Sequence, residues 1–352
     1  MKKEIIPHSR PTIGKEEIEA VSRVVASGRI ARGREVEAFE SEFSRKIGVK
    51  YAAAVSSGTA ALHLALIALG TTVGDEVIMP SYVCTALLNA ANYTGATPVI
   101  ADIDRVTLNI DPVDVETRIT QHTKAIIVPH MFGRVADMDR LNGLGVPVIE
   151  DCAQAPGSRY KKHMAGSMGS AAIFSFYATK MMACGEGGMI VSDSKEVLDR
   201  VRQYREYDNR DTYCVRYNYK MTDIQAAMGR QQLKKLVNFI ARRREIAGVY
   251  TEAFSQLGFQ LPHDGDGHVY YRYIIKVKQG VDRWIDSMQN EGVCCAKPVF
   301  KPLHDYLDAK GCPTAESIFN QALSIPLFPT LSDTEVQRVV TAVIQVHDRL
   351  KI

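Results

Sequence analysis

The first two-thirds of the chain alternate short β-rich apolar runs with segments of helical periodicity. Runs at Tyr51–Val55, Glu76–Met79, Pro98–Ala101, Ala125–Val128, Pro147–Glu150, Ala171–Ser175 and Met189–Ser192 predict strands. Several are unbroken apolar stretches, the pattern of strands covered on both faces. Helical patterns such as Thr59–Leu69 and Thr85–Tyr93 lie between them. In the first, Leu62, Leu66 and Leu69 recur at i, i+4 and i+7 and make one apolar face. This alternation predicts an α/β fold with a mostly parallel seven-stranded sheet flanked by helices.

Beyond about Met221 the pattern changes. A long helical segment runs from Thr222 towards Leu257, followed by a polar loop at Pro262–Gly267. Tyr270–Val277 then reads as a strand, and Arg283–Glu291 and Thr334–Leu350 as helices. The change predicts a large domain over 1–244 and a smaller C-terminal α+β domain over 245–352. At 352 residues and 39.0 kDa the chain exceeds what one core usually supports.

Composition narrows the function classes. Hydrophobic residues make up 46% and charged residues 24%, as in ordinary globular proteins. The net charge of +3 comes from basic and acidic residues spread along the chain, so neither nucleic acid nor a membrane surface is an expected partner. No apolar stretch approaches a membrane span, and no apolar core follows the N-terminal lysines as a signal peptide requires. The 7 cysteines form no C-x-x-C pair. Reduced thiols, a cytoplasmic location and no metal site are expected.

Four places carry chemistry. Ser57-Gly58-Thr59-Ala60-Ala61-Leu62 turns from a strand into a helix, where hydroxyls, free N–H groups and the positive helix end suit a phosphate. Glu150-Asp151-Cys152-Ala153-Gln154 sets a carboxylate at the carboxyl end of a strand, the edge where open α/β sheets bind ligands. There Asp151 can hold a proton on a pyridine nitrogen, and Gln154 can reach a ring hydroxyl. Ser175-Phe176-Tyr177-Ala178-Thr179-Lys180, before the Gly-rich Cys184–Gly188, puts a lysine in a short loop between strands. Burial and neighbouring cations are expected to lower its pKa and permit imine formation. Tyr217-Asn218-Tyr219-Lys220-Met221-Thr222 offers an amide just before a helix start. Taken singly, each has an ordinary alternative: N-capping by Ser57 or Thr59, N-capping by Asp151, a solvated lysine, a helix entrance packed by tyrosines.

The four occur in a longer series. Arg10-Pro11-Thr12-Ile13-Gly14, Ser27-Gly28, Gly33, Pro80-Ser81 and Gly95-Ala96-Thr97-Pro98 come early; Pro129-His130-Met131-Phe132-Gly133 is central; Lys301-Pro302-Leu303-His304 and Ile325-Pro326-Leu327-Phe328-Pro329 come late. With this series the chain resembles, over nearly its whole length, the DegT/DnrJ/StrS sugar aminotransferases of the aspartate-aminotransferase-like superfamily (pyridoxal-phosphate fold type I). The resemblance implies that Lys180 is the Schiff-base lysine and the acid/base of the proton shift. It implies that Asp151 partners the pyridine nitrogen, Gln154 the ring oxygen, and Gly58, Thr59 and Ser175 the phosphate. Asn218 matches a residue that reaches the phosphate of a neighbouring subunit, which implies a homodimer with shared active sites. His130 and Glu186 are motif members without an individual role. Relatives usually stack an aromatic ring on the cofactor where this chain has Cys84; Tyr82, two positions earlier, is the candidate to compensate, although a regular strand or helix would turn it away.

The implied reaction is a two-step transfer. L-glutamate converts pyridoxal 5′-phosphate to pyridoxamine 5′-phosphate, which then aminates a keto group of a nucleotide-linked sugar for a polysaccharide, glycan or antibiotic. A keto-cyclitol acceptor and a catalytically inactive, cofactor-binding regulatory protein are the alternatives. A dehydratase of this fold would carry histidine in place of Lys180, and a dinucleotide oxidoreductase would need G-x-G-x-x-G, which Ser56-Ser57-Gly58-Thr59 does not supply. Tyr177, Lys301 and His304 are candidate acceptor contacts.

Overall fold

Amphipathic stretches open the chain, and they fold as α1 (Lys15–Ala26) and α2 (Arg34–Ile47) ahead of β1 (Tyr51–Val55). Strands and helices then alternate through α3 (Gly58–Ala68), β2 (Glu76–Pro80), α4 (Ala86–Thr94), β3 (Thr97–Ala101), α5 (Pro112–Arg118), β4 (Thr123–Pro129), α6 (Met138–Gly143) and β5 (Val148–Asp151). A small antiparallel hairpin, β6 (Arg159–Tyr160) and β7 (His163–Met164), leads to β8 (Ala171–Ser175) and β9 (Gly188–Ser192). After them come α7 (Lys195–Arg205), α8 (Asp223–Phe254), β10 (Tyr273–Lys276), α9 (Val281–Asn290), α10 (His304–Leu307), α11 (Pro313–Phe319), β11 (Ala322–Ile325) and α12 (Asp333–Arg349). This computed structural model describes residues 4–350 except 209, 263, 264, 266 and 279. Of the predicted loop Pro262–Gly267, positions 263, 264 and 266 therefore lie outside the described residues.

The seven predicted strands form one sheet in the order β1-β9-β8-β5-β4-β2-β3. Neighbours from β8 through β5, β4 and β2 to β3 are parallel, while β9 runs antiparallel to both β8 and β1. The apolar runs are continuous because helices cover both faces. Along β8, Ile173 faces a core shared with α3 and α4, while Ala172 and Phe174 face Phe39 and Phe43 of α2. Phe43 meets Phe174 edge-on at a centroid distance of 4.8 Å. A separate core gathers residues from Ile246 onward, including Tyr250, Phe254, Tyr273 and Trp284, and takes in Ile6 from the N-terminal segment. Position 244 lies inside α8, a continuous helix that passes from the sheet to this second core. No helix among the described residues is long and apolar enough to cross a membrane.

One predicted strand is shorter than its pattern. Tyr270–Val277 reads as a strand throughout, yet β10 pairs with β11 only over Tyr273–Lys276. The preceding residues lie against the loop after β4 instead: Val269 donates to the Gly133 carbonyl and Arg272 to that of Phe132. Tyr270 takes φ +49 to make the bend, a backbone conformation that is costly for a non-glycine residue.

Candidate active site

The reversal of β9 assembles the site. Its first residue, Gly188, stands opposite both Val55 at the end of β1 and Ser175 at the end of β8. A side chain there would be impossible, because a Cβ on Gly188 would fall 2.4 Å from the Ser57 carbonyl oxygen. The turn into α3 is thereby drawn onto β8, and a Cβ at Gly58 would sit 2.8 Å from the Cβ and 3.0 Å from the Oγ of Ser175. Ser57 caps α3 by accepting from the Ala60 amide at 3.1 Å. The capping alternative is therefore real, but it falls to Ser57 and leaves the amides of Gly58 and Thr59 at the positive helix end.

Asp151 ends β5 and is buried. Its Oδ1 accepts from the Ala153 amide at 3.0 Å, closing a turn rather than capping a helix. Burial raises its pKa above the ordinary value, against the pull of the Ala153 amide, Lys180 and His130. Behind it, His130 Nδ1 accepts from the Ala136 amide, so Nε2 carries the hydrogen and donates to Glu150 at 3.0 Å. The amides of Gly166, Met168 and Gly169 also donate to Glu150, at 2.7–2.9 Å. Burial alone would raise the Glu150 pKa; His130 and these donors hold it below the usual value. His130, Glu150 and Cys152 offer ligand atoms within 4.8 Å of one another. The His130 and Glu150 atoms are committed to this network, and burial pushes the Cys152 thiol well up, which disfavours the thiolate a metal needs. His130 thus supports the β5 end that presents Asp151.

Gln154 is oriented by the loop after β4. Its Oε1 accepts from the Phe132 amide at 2.9 Å, which identifies the other atom as the NH₂ donor; it meets the Met131 sulfur at 3.9 Å. A weakly engaged donor of this kind is what an ionised ring oxygen requires.

Lys180 is partly buried in the β8–β9 loop. Its Nζ lies 5.4 Å from the centre of the Tyr271 ring, in the field of Tyr271, Cys84 and Asp151. Burial alone would pull its pKa down, as the sequence suggested, but these three groups outweigh burial and leave it above the ordinary value. The expected lowering is thus reversed. Tyr271 answers in the opposite sense. Burial would raise it, yet Lys180, Arg272, a hydrogen bond with Thr179, and Arg243 bring it down to about 8.

Other expected residues are spread around this centre. Cys84 is exposed and close enough to act on Lys180. Tyr82 does not compensate for it: the ring is fully buried in the core against α3 and α4, because the bend after β2 turns position 82 inward. Asn218 is exposed, between Tyr217 and Tyr219, whose amides are fixed to the carbonyls of Tyr204 and Arg205. Glu186 is exposed, and its carbonyl accepts from Gln225 in the first turn of α8. Tyr177 is exposed; His304 Nδ1 pairs with Ser81 Oγ, and Lys301 sits over the Tyr306 ring. Tyr271 and Arg272 escaped the sequence reading. Their one signal was an arginine inside the aromatic run Val269-Tyr270-Tyr271-Arg272-Tyr273, which period-two patterning assigns to a strand.

These features fit pyridoxal phosphate: a cradle at Gly58 and Ser175 that a Cβ would fill, a weakly engaged amide donor on Gln154, and a desolvated carboxylate at Asp151. Gly58→Ala is accordingly expected to weaken cofactor uptake by on the order of tenfold, as a crowded contact of this kind costs about 1–3 kcal/mol. Absorbance titration of the apoenzyme with pyridoxal phosphate measures it, and unchanged affinity would remove the cradle from this place.

Known proteins point the same way. The model of the DegT/DnrJ/EryC1/StrS aminotransferase family matches residues 11–344. The spore coat polysaccharide biosynthesis protein SpsC of Bacillus subtilis (strain 168) is 40% identical over 374 residues, covering 96% of this chain and 96% of that protein. Among solved structures, DesV from S. venezuelae superposes with a TM-score of 0.90 at 34% identity, over 95% of each chain. Spr1654 from Streptococcus pneumoniae in its PLP-form does so with a TM-score of 0.91 at 28% identity, over 98% of this chain and 99% of that one.

Proposed function

Because this chain belongs to the DegT/DnrJ/EryC1/StrS aminotransferase family, it is a pyridoxal-phosphate-dependent sugar aminotransferase, and we propose that its amino donor is L-glutamate and its acceptor a nucleotide-linked keto sugar. The cofactor alternates between pyridoxal and pyridoxamine phosphate. One observation carries the assignment of the site: a lysine, a buried carboxylate and a glycine–serine cradle, remote in sequence, meet at one edge of the sheet. The acceptor reading rests on the likeness to a polysaccharide biosynthesis protein, since polysaccharides are built from activated sugars.

When bound, pyridoxal phosphate supplies an aldehyde that takes up amines and a ring that draws electrons from the carbon attached to them. The amides of Gly58 and Thr59 and the Ser175 hydroxyl hold the phosphate. Asp151 holds a proton on the ring nitrogen, and its burial strengthens that contact. Gln154 donates to the ring oxygen. Lys180 would hold the cofactor through its amine and would move a proton to and from the substrate carbon. Cys84, exposed and within range of Lys180, would stand beside the cofactor ring. Asn218, exposed on its own subunit, reaches the phosphate of a second copy in a homodimer, and the enzyme works in the cytoplasm.

The test is spectroscopic. Protein loaded with pyridoxal phosphate should show a band near the visible edge that L-glutamate bleaches. A nucleotide-linked keto sugar should restore it, while a keto-cyclitol or the free keto sugar should not. Recovery with the keto-cyclitol instead would overturn the acceptor, and no bleaching by glutamate would overturn the donor.

A further inference from the structure

Arg272 is a cation at this site that the cofactor's contacts do not use. Its Cζ lies 4.8 Å from the centre of the Tyr271 ring, and Lys180 Nζ lies 5.4 Å from the same centre. The Arg272 charge also acts on Lys180, so the two cations are neighbours around this ring. Nη2 approaches the Tyr271 hydroxyl at 3.4 Å, and Nη1 approaches His8 Nδ1 at 3.4 Å. A guanidinium only donates, so His8 Nδ1 accepts, and His8 Nε2–H donates to Ser324 Oγ at 2.8 Å. Burial and the Arg272 charge hold the His8 pKa at about 3, so this support is neutral.

Several other arginines of the fold meet carboxylates. Arg230 meets Glu35 and Glu42, Arg205 meets Glu40, and Arg118 meets Asp114. Among the described residues, no carboxylate pairs with Arg272. Arg243 lies behind it, buried, with Nη1 held by the carbonyls of Tyr270, Tyr271 and Leu327. Lys180, Arg272 and Arg243 thus converge on Tyr271, and Asp151 is the carboxylate acting on Lys180. Such an excess of positive charge favours an anionic guest.

We propose that Arg272 is the specificity residue that anchors the carboxylate of the amino donor. This rests on the reading of Lys180 as the residue that holds the cofactor. An amino acid carries its carboxylate one carbon from its amine, so an anchor must stand within a side chain's reach of Lys180. A planar fork matches a planar carboxylate with two parallel hydrogen bonds. The cofactor's phosphate has its own cradle at Gly58, Thr59 and Ser175. The keto sugar has no carboxylate beside its reacting carbon, so Arg272 discriminates between the two half-reactions.

The test compares parent, Arg272→Gln and Arg272→Lys. On the apoenzyme, calorimetry with 2-oxoglutarate should show binding that Arg272→Gln weakens on the order of 10–100-fold and Arg272→Lys partly recovers. Binding of a nucleoside diphosphate should not change. With the cofactor loaded, bleaching by glutamate should slow to match, while bleaching by the amino-sugar product stays within about threefold. Loss of nucleoside diphosphate binding instead would assign Arg272 to the acceptor. Equal 2-oxoglutarate binding by all three proteins, or no binding by the parent, would also sink the proposal. A variant that still forms the visible band but bleaches normally refutes the anchor alone. A parent without the band refutes the reading of Lys180 beneath it.

Discussion

Lys180→Ala should lower the rate of amino transfer by about 10⁴-fold or more, because on the proposed reading one amine would serve as both the covalent tether and the proton carrier. The visible band formed with pyridoxal phosphate should vanish. The fold should survive, since the one hydrogen bond found for this residue runs from its backbone amide to the Tyr177 carbonyl and does not need the side chain. A second consequence follows from the effect of the Lys180 charge on Tyr271. Tyr271 stands at about 8 with Lys180 among the groups that hold it there. Removing that cation should move the phenol up towards its ordinary value of about 10. Ultraviolet difference titration of the apoenzymes reads this shift without any cofactor. A variant that kept its band and turned over at near the parent rate would show that another amine does the work.

Asp151→Asn is expected to lower turnover by about 10²–10³-fold, the usual cost of removing one preorganised electrostatic partner. Asparagine can still accept from the Ala153 amide, but it has no charge with which to hold a proton on the ring nitrogen. Stability should move the other way. Burial raises the Asp151 pKa. An acid whose pKa rises on folding costs stability once ionised, and the cost sets in as pH climbs from the unfolded value of about 4 through the folded one. The asparagine apoenzyme should therefore melt no lower than the parent at pH 8, and the difference should narrow as pH falls towards 4. Melting curves at several pH values, together with single-turnover rates, test both halves. A variant within a few-fold of the parent rate would remove Asp151 from the ring nitrogen.

Much of this was legible because the relevant physics is local. Continuous apolar runs bounded by turns marked all seven sheet strands to within one or two residues at each end. The capping residue Thr222 and the long periodic stretch after it marked α8, whose capping box is present. Asp151 could be nominated from a strand end, Gly58 from a strand-to-helix turn and Lys180 from a short loop between strands, whereas Ser175 came with the resemblance. Less was legible where distant segments decide. Period two made Tyr270–Val277 a strand, but contacts with Phe132 and Gly133 bend the chain at Tyr270 and turn Tyr271 and Arg272 to the site. His8 reaches Arg272 across 264 residues, which no local pattern encodes.

From its residues alone the chain settled which groups are present and which elements carry them: α/β layering, a lysine loop, a strand-end carboxylate and a small-residue helix start. Period and turn chemistry depend on neighbours a few residues apart, and those are written in the sequence. Tertiary structure decided how the groups act on one another. The reversed strand β9 brings Gly58 onto Ser175, and Tyr271 reverses the expected proton affinity of Lys180. Burial and Coulomb energy depend on distances through space, and only the packed chain sets those distances.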